Sequence, residues 1–152
     1  MSATRPLLSN EIILNETHHA RDFPDVFVIS PFSEVAYKLK TSLYPKLLFA
    51  VKRYKPNVGS SQLWEWLNKS IGTVHTFQGK QAAGVILCLG LDDRTKGAAL
   101  WASQKPNLLN VALTRAKHRF AAVGDQNIWL NKPYFRELKK LGVVECTNVN
   151  NK

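Results

Sequence analysis

Apolar residues recur at three- and four-residue intervals over residues 107–119, the period of a helix that buries one face. The inner face of this predicted helix carries Leu109, Leu113 and Ala116. Arg115 projects instead from the flank of the helix. The apolar run 120–123 follows without alternation, which is typical of a parallel strand buried on both faces. The pattern predicts a helix that leads into a strand, with one permanent cation at their border.

Three further apolar runs predict strands, at residues 26–29, 71–74 and 85–90. Stretches of helical spacing separate them and are expected from residue 33 onward, over 98–102 and over 133–141. Pro45 and Pro56 are expected to divide the region before Gly59 into one or two shorter helices. Ser30 or Ser33 can cap the helix that follows the first strand. Strands interleaved with helices predict an α/β fold, a parallel sheet flanked by helices on both faces.

Composition limits the class of protein. The chain has 152 residues, of which 45% are hydrophobic, so we expect one globular domain. No apolar run reaches the roughly 18–20 residues of a membrane span, and the first residues do not resemble a signal peptide. Cys88 lies inside an apolar run far from Cys146, which favours a reduced thiol in the core. A reducing, cytoplasmic location with no membrane partner is therefore predicted.

The charge distribution points to a polyanionic partner. The formal net charge is +10, and no acidic residue falls between Glu34 and Glu65 or between Asp93 and Asp125. Both acid-free segments are rich in lysine and arginine. Such segments suit nucleic acid, because each neutralised phosphate releases counterions. A basic surface that meets an acidic protein is the rival interpretation.

Polar residues follow the predicted strands. Ser30 and Pro31 end the first strand, and His75 and Thr76 follow the second, leading into the turn Gln78–Gln81. Ligands of open parallel sheets lie at the carboxyl ends of the strands, so the sequence predicts the working edge there. Arg115 precedes a strand and is expected to approach a ligand from the side.

The sequence lacks the parts of a complete phosphoryl-transfer site. A phosphate-binding loop reads G-x-x-x-x-G-K-[S/T]. Gly79 and Lys80 match its end, but Val74 and Gln81 do not match the flanking positions. There is also no zinc-ligand spacing and no strand that ends in Asp-Glu, so no metal site is predicted. The sequence does offer one part of such a site, an arginine that could be supplied across an interface. Arginine suits this role because its planar guanidinium matches the geometry of phosphate oxygens.

Two long motifs carry a resemblance to a known family. Residues 71–80, Ile-Gly-Thr-Val-His-Thr-Phe-Gln-Gly-Lys, resemble helicase motif V, and residues 109–117, Leu-Asn-Val-Ala-Leu-Thr-Arg-Ala-Lys, resemble motif VI. Residues 26–32 are similar to motif IV. Together they resemble the second RecA-like domain of superfamily-1 helicases, in the branch of the RNA-surveillance and Dna-two-type enzymes. The resemblance covers roughly residues 24–141 and implies a RecA-like fold without its own phosphate loop.

The resemblance also implies roles for individual residues. Arg115 corresponds to the arginine finger that reaches the γ-phosphate of ATP. Nucleotide contact is further implied for Gln78, Gly79, Lys80 and Gln81. Nucleic-acid contact is implied for Ser30, Pro31, His75, Thr76 and Lys117, the last of which could support either ligand. ATP and Mg²⁺ would be held mainly by the first RecA-like domain, which is the expected partner together with single-stranded DNA or RNA.

Three departures from the family pattern stand out. Gln81 replaces a usual glutamate that helps to hold the nucleotide ribose, and 82–84 read Ala-Ala-Gly instead of Ala-Asp-Val. An arginine expected near Ala36 is also missing. A non-catalytic nucleic-acid-binding module is therefore the alternative to a motor half, and the chain alone is expected to bind ATP poorly. Residues 1–23 are predicted to be a lead-in, 24–145 the domain, and 146–152 a flexible tail.

Overall fold

Four parallel strands form one sheet in the computed structural model, which describes residues 23–90, 96–104 and 106–141. The strands are β1 (Val26–Ser30), β2 (Ile71–Thr73), β3 (Ala82–Gly90) and β4 (Ala116–Gly124). Their order in the sheet is β2-β1-β3-β4, and every pair of neighbours is parallel. The predicted α/β fold, RecA-like with flanking helices, is confirmed.

Helices connect the strands and lie on both faces of the sheet. They are α1 (Ser33–Tyr54), α2 (Ser60–Ser70), α3 (Lys96–Ser103), α4 (Pro106–Arg115), α5 (Gln126–Trp129) and α6 (Leu138–Leu141). Two short 3-10 helices, Val74–Phe77 and Phe135–Glu137, precede β3 and α6. No helix within these described ranges is both long and apolar enough to cross a membrane.

Alternate residues of the strands divide the core into two layers, because successive side chains point to opposite faces. Phe27 and Ile29 pack with the inner side of α4 and with Phe77, on what we call the α4 face. Val28 packs with the inner sides of α1 and α2, on the α1 face. The two layers set which surface each helix presents to solvent.

The helix-to-strand border lies earlier than predicted. Helix α4 ends at Arg115, and β4 begins at the next residue, so Lys117, His118 and Arg119 belong to the strand. Ala116 pairs with Ala82 at the start of β3, and this ladder replaces the last helical turn that the spacing predicted. Arg115 therefore ends its helix instead of lying one turn before the end, as predicted.

Strand β4 also lies in a different environment from the predicted one. The run 120–123 was expected to be buried on both faces, but Ala121, Ala122 and Val123 are exposed in the part of the chain that the structure describes. Within that part, β4 pairs with β3 alone and forms the edge of the sheet. An apolar run predicts a strand but not its position in the sheet.

The expected break at Pro45 does not occur. Helix α1 runs without interruption from Ser33 to Tyr54 with Pro45 inside it. Proline has no N–H to donate to the carbonyl of Thr41, but both residues are exposed, so water can satisfy that carbonyl. The predicted serine cap is also wrong, since the N-cap residue is Phe32 and no side chain caps the helix.

Smaller predictions are confirmed in part. Trp64 and Trp66 are too close in sequence to share one helix face, which predicts one ring in the core and one partly exposed. Trp66 is half-buried and its Nε1 donates to the Pro24 carbonyl at 3.1 Å, whereas Trp64 is exposed. The predicted helix 133–141 is shorter, because the left-handed backbone of Tyr134 (φ 66°) delays its start. Cys88 is a free, half-buried thiol, and burial raises its pKa against a smaller opposing effect of the Gly90 backbone. Residues 1–22 of the predicted lead-in, Cys146 and the predicted tail lie outside the described residues.

Candidate functional site at the two ends of the sheet

The carboxyl ends of β1 and β2 bring the first group of predicted residues together. Ser30 pairs with Thr73 in the parallel ladder, and His75 and Thr76 follow in the 3-10 helix directly after β2. The Thr73 N–H donates to Thr76 Oγ1 at 3.2 Å, and the two hydroxyl oxygens lie 3.3 Å apart. His75 and Thr76 are exposed, so this corner presents an imidazole and a hydroxyl to solvent.

Ser30 shapes this corner without being exposed in it. The whole residue is buried, and its Oγ accepts a hydrogen bond from the Phe32 N–H at 3.2 Å. This bond shapes the turn through the half-buried Pro31. The nucleic-acid contact of Ser30 stays a prediction, and it would require this turn to open.

The segment after the 3-10 helix folds back along the α4 face instead of staying at the carboxyl ends. Phe77 is fully buried and stacks on Phe27 of β1, with ring centroids 4.3 Å apart. The turn Gln78–Gln81 then leads into the amino end of β3. The prediction that this turn lies at the carboxyl edge is wrong, because burial of Phe77 draws the chain back across the sheet.

Arg115 lies against this turn. Its Nη1 donates to the carbonyl oxygens of Lys80 at 3.2 Å and Phe77 at 3.5 Å, and its Nε donates to the Val111 carbonyl at 3.3 Å. Nη2 donates to the Thr114 hydroxyl at 3.4 Å. All four acceptors are neutral and the distances are long, so these bonds are weaker than those to a phosphate oxygen. Arg115 is half-buried, and in this conformation its guanidinium is held by oxygens of its own domain.

The turn itself is open and close to the helix end. Gln78, Gly79, Lys80 and Gln81 are all exposed. Gly79 has a φ of 78°, a left-handed conformation that favours glycine, and a side chain there would meet no other atoms within 4 Å. Gln81 donates from Nε2 to the Thr114 carbonyl at 3.2 Å, which links the turn to α4. The structure thus brings Arg115 and the four predicted nucleotide-binding residues together.

Lys117 is not brought to the nucleic-acid corner. It lies two residues after Arg115 at the amino end of β4, and the ladder from Ala116 through Ala82 to Ser30 spans about six residues, roughly 20 Å. The structure therefore places Lys117 on the same end of the sheet as Arg115, and His75 and Thr76 at the other. Sequence spacing alone does not separate these two ends.

Two residues of these corners were missed by sequence analysis. Thr73 orders the 3-10 helix through Thr76, and Thr114 touches both Arg115 and Gln81 through its hydroxyl and its carbonyl. Thr114 also donates its hydroxyl to the Asn110 carbonyl at 2.8 Å. The signal available in the sequence was their position in the two motifs, since Thr114 directly precedes Arg115 and Thr73 lies two residues before His75.

Gly72 makes the position of Thr76 sensitive to a single methyl group. A Cβ at Gly72 would lie 2.8 Å from Thr76 Oγ1 and 2.9 Å from both Thr76 carbons. We expect Gly72→Ala to displace Thr76 and to lower the free energy of unfolding by about 1–3 kcal/mol, measured by urea denaturation. The matched control is Gly97→Ala in α3, where a Cβ meets nothing within 4 Å. Equal effects of the two substitutions would show that Thr76 is not held by packing over Gly72.

In the residues that the structure describes, no group of three His, Cys, Asp or Glu side chains could hold a metal ion.

Comparison with known proteins identifies the family to which the chain belongs. No curated protein shows a significant match to the chain. A family model described as an AAA domain, AAA_12, matches residues 8–127, which is most of the chain. The chain therefore belongs to the AAA_12 family, a helicase-type domain found in superfamily-1 helicases.

Proposed function

We propose that the chain is the second motor domain of an ATP-dependent superfamily-1 helicase, in the branch that includes the RNA-surveillance and Dna-two-type enzymes. The observation that carries the proposal is the position of Arg115. Its guanidinium lies at the edge of the domain, beside an exposed turn, and is held by neutral acceptors at 3.2–3.5 Å. A phosphate oxygen outcompetes such acceptors, because a charge-assisted hydrogen bond is roughly twice as strong as a neutral one.

In this proposal, ATP and Mg²⁺ are held mainly by the first RecA-like domain, and the present chain completes the site. Arg115 extends from the Phe77–Lys80 turn to the γ-phosphate and stabilises the charge that spreads over its oxygens during transfer. Gln78, Gly79 and Gln81 line the same turn and contact the nucleotide. Lys80 and Lys117 lie on the same end of the sheet and raise the positive potential around the phosphates.

Single-stranded nucleic acid is proposed to contact the opposite end of the sheet. His75 and Thr76 offer hydrogen bonds to the phosphate backbone, and the half-buried Pro31, which follows the buried Ser30, completes this corner. The buried Phe77 connects the two ends of the sheet. His75 lies two residues before it in the chain, and the carbonyl of Phe77 itself accepts a hydrogen bond from Arg115. When ATP draws Arg115 toward the first domain, the contacts at His75 move with it as one body. Hinge closure and reopening would thereby move these contacts along the single-stranded nucleic acid.

A non-catalytic nucleic-acid-binding module is the second candidate function. Gln81 favours it, because its amide donates to the Thr114 carbonyl at 3.2 Å, in the place where the family usually has a glutamate for the ribose. In that case the nucleic-acid corner would operate without an ATP cycle. A glutamine amide also hydrogen-bonds a hydroxyl, so the motor interpretation requires only that Gln81 exchange its partner.

The test joins this chain to a first RecA-like domain that carries the phosphate loop. The joined protein is expected to hydrolyse ATP faster when a single-stranded oligonucleotide is added, whereas this chain alone binds ATP poorly. ATP turnover is followed by phosphate release, and oligonucleotide binding by fluorescence anisotropy. Strand binding without any nucleotide turnover in the joined protein would favour the non-catalytic module.

A further inference from the structure

The solvent side of helix α1 carries exposed aromatic rings that the proposed motor does not use. Phe49 is 71% exposed, Tyr37 66% and Tyr54 57%. At 100° per residue, Tyr37 and Phe49 fall on the same half of the helix, about 18 Å apart along its axis. Apolar side chains scattered singly over a protein surface are ordinary. Several large aromatic rings exposed on one helix instead indicate a contact surface.

Basic side chains surround these rings. Lys46, Lys52 and Arg53 are exposed on the same half of α1, and α1 contains a single acidic residue, Glu34, at its start. Glu34 is paired with Lys38 at 2.7 Å, one turn later, which leaves the remainder of the helix uniformly basic. The Arg53 guanidinium lies over the Tyr54 ring, 5.7 Å from its centroid. We call Tyr37, Lys46, Phe49, Lys52 and Arg53 the α1 surface.

The α1 surface is separate from the Arg115 region. The inner side of α1 packs with Val28 and Ile71 on the α1 face of the sheet. Phe77 and α4, which carry the Arg115 region, pack on the other face. The outer side of α1 therefore points away from Arg115 and its turn, and it runs along the sheet instead of across the strand ends.

We propose that the α1 surface is a second binding site for single-stranded nucleic acid, independent of ATP. The phosphates of the nucleic acid contact Lys46, Lys52 and Arg53, and its bases stack on Tyr37 and Phe49. The proposal depends on neither Arg115 nor the motor assignment, so it stands even if the joined protein hydrolyses no ATP.

The aromatic rings favour a nucleic acid over an acidic protein. Carboxylates on a protein would be satisfied by the lysines alone, and the exposed rings would add little to their recognition. Every nucleobase offers a flat face, so rings spaced between cations match a strand whatever its sequence. Both chemical properties occur together on α1, within an acid-free stretch from residue 35 to residue 64.

The first test removes the charge. The triple variant Lys46→Gln, Lys52→Gln, Arg53→Gln is compared with a matched triple on the opposite layer, Arg136→Gln, Lys139→Gln, Lys140→Gln. Binding of fluorescein-labelled 20-mer oligo(dT) and oligo(U) to the full chain is measured by anisotropy over a series of salt concentrations. We expect the α1 variant to bind about tenfold more weakly at 0.1 M salt, with a salt slope lower by about 2, and the matched control to bind nearly as the unaltered chain does. Equal losses in the two variants would overturn the proposal.

The second test removes the rings. Tyr37→Ala, Phe49→Ala is expected to weaken binding of both oligonucleotides about tenfold, and Tyr37→Phe, Phe49→Tyr to restore it. Polyglutamate of matched charge serves as a competitor, and His75→Ala, Thr76→Ala serves as the background that removes the other corner. The α1 losses should persist in that background and polyglutamate should compete poorly. An unchanged affinity without the rings, together with strong competition by polyglutamate, would show that α1 meets an acidic protein instead.

Discussion

Arg115→Ala in the protein joined to a first RecA-like domain is expected to lower ATP turnover by about 10³-fold or more if Arg115 is the proposed arginine finger, because such a finger contributes an effect of that order. Oligonucleotide binding should survive, since His75 and Thr76 lie at the other end of the sheet. The substitution also removes four long hydrogen bonds to neutral acceptors. Those bonds are partly exposed and should cost only about 1 kcal/mol in the free energy of unfolding.

Two comparisons isolate the role of the guanidinium. Arg115→Lys keeps the charge but loses the planar fork, and we expect it to remain strongly impaired. Lys117→Ala removes a neighbouring cation from the same end of the sheet, and we expect a much smaller loss of turnover. Turnover rates near the unaltered value in Arg115→Ala would refute the finger assignment. The melting temperature of each variant shows whether a loss of turnover arises from unfolding.

Phe77→Ala is expected to have the largest effect on stability, about 3–5 kcal/mol in the free energy of unfolding. The ring is fully buried and stacks on Phe27 at 4.3 Å, so truncation leaves a cavity beneath the sheet. The Phe77 carbonyl also accepts a hydrogen bond from Arg115, at 3.5 Å. Loss of the ring should therefore loosen both the Arg115 acceptors and the 3-10 helix that carries His75.

Guanidinium chloride denaturation measures the change in stability, with Phe49→Ala as the matched control. Phe49 is the same residue type on the surface, and its removal should alter the free energy of unfolding by less than about 0.5 kcal/mol. Phe77→Leu keeps most of the buried volume and should lie between the two. If Phe77→Ala unfolds no more readily than Phe49→Ala, the fold-back segment is not anchored by that ring.

The strands and the family of the fold could be predicted because their signals are local. Runs such as Val85–Leu89 are apolar without alternation, and the motifs around Gly79 and Arg115 are contiguous. The motif resemblance implied nucleotide contact for both Arg115 and the turn 78–81. The hydrogen bond from Arg115 to the Lys80 carbonyl, at 3.2 Å, brings the two together in the structure. Whether they bind nucleotide remains a prediction.

The parts that sequence analysis missed depend on contacts between distant residues. Burial of Phe77 against Phe27 draws the turn to the amino end of β3, and nothing in the local spacing shows that pairing. The end of α4 at Arg115 is likewise decided by the ladder between Ala116 and Ala82, which overrides a helical pattern that continues further. Ser30 was expected at the working edge as a nucleic-acid contact, and it does end β1, but it is buried and its hydroxyl accepts a hydrogen bond within its own turn.

Because α4 passes into β4 without a linking residue, the direction in which Arg115 points is tied to the pleat of the sheet. An added residue at this junction would rotate the arginine by about 100° around the helix axis or reverse every side chain of β4. The junction thus tolerates a changed side chain far better than a changed chain length. An insertion between Arg115 and Ala116 is therefore expected to disturb this end of the domain more than an insertion at the exposed turn 78–81 would.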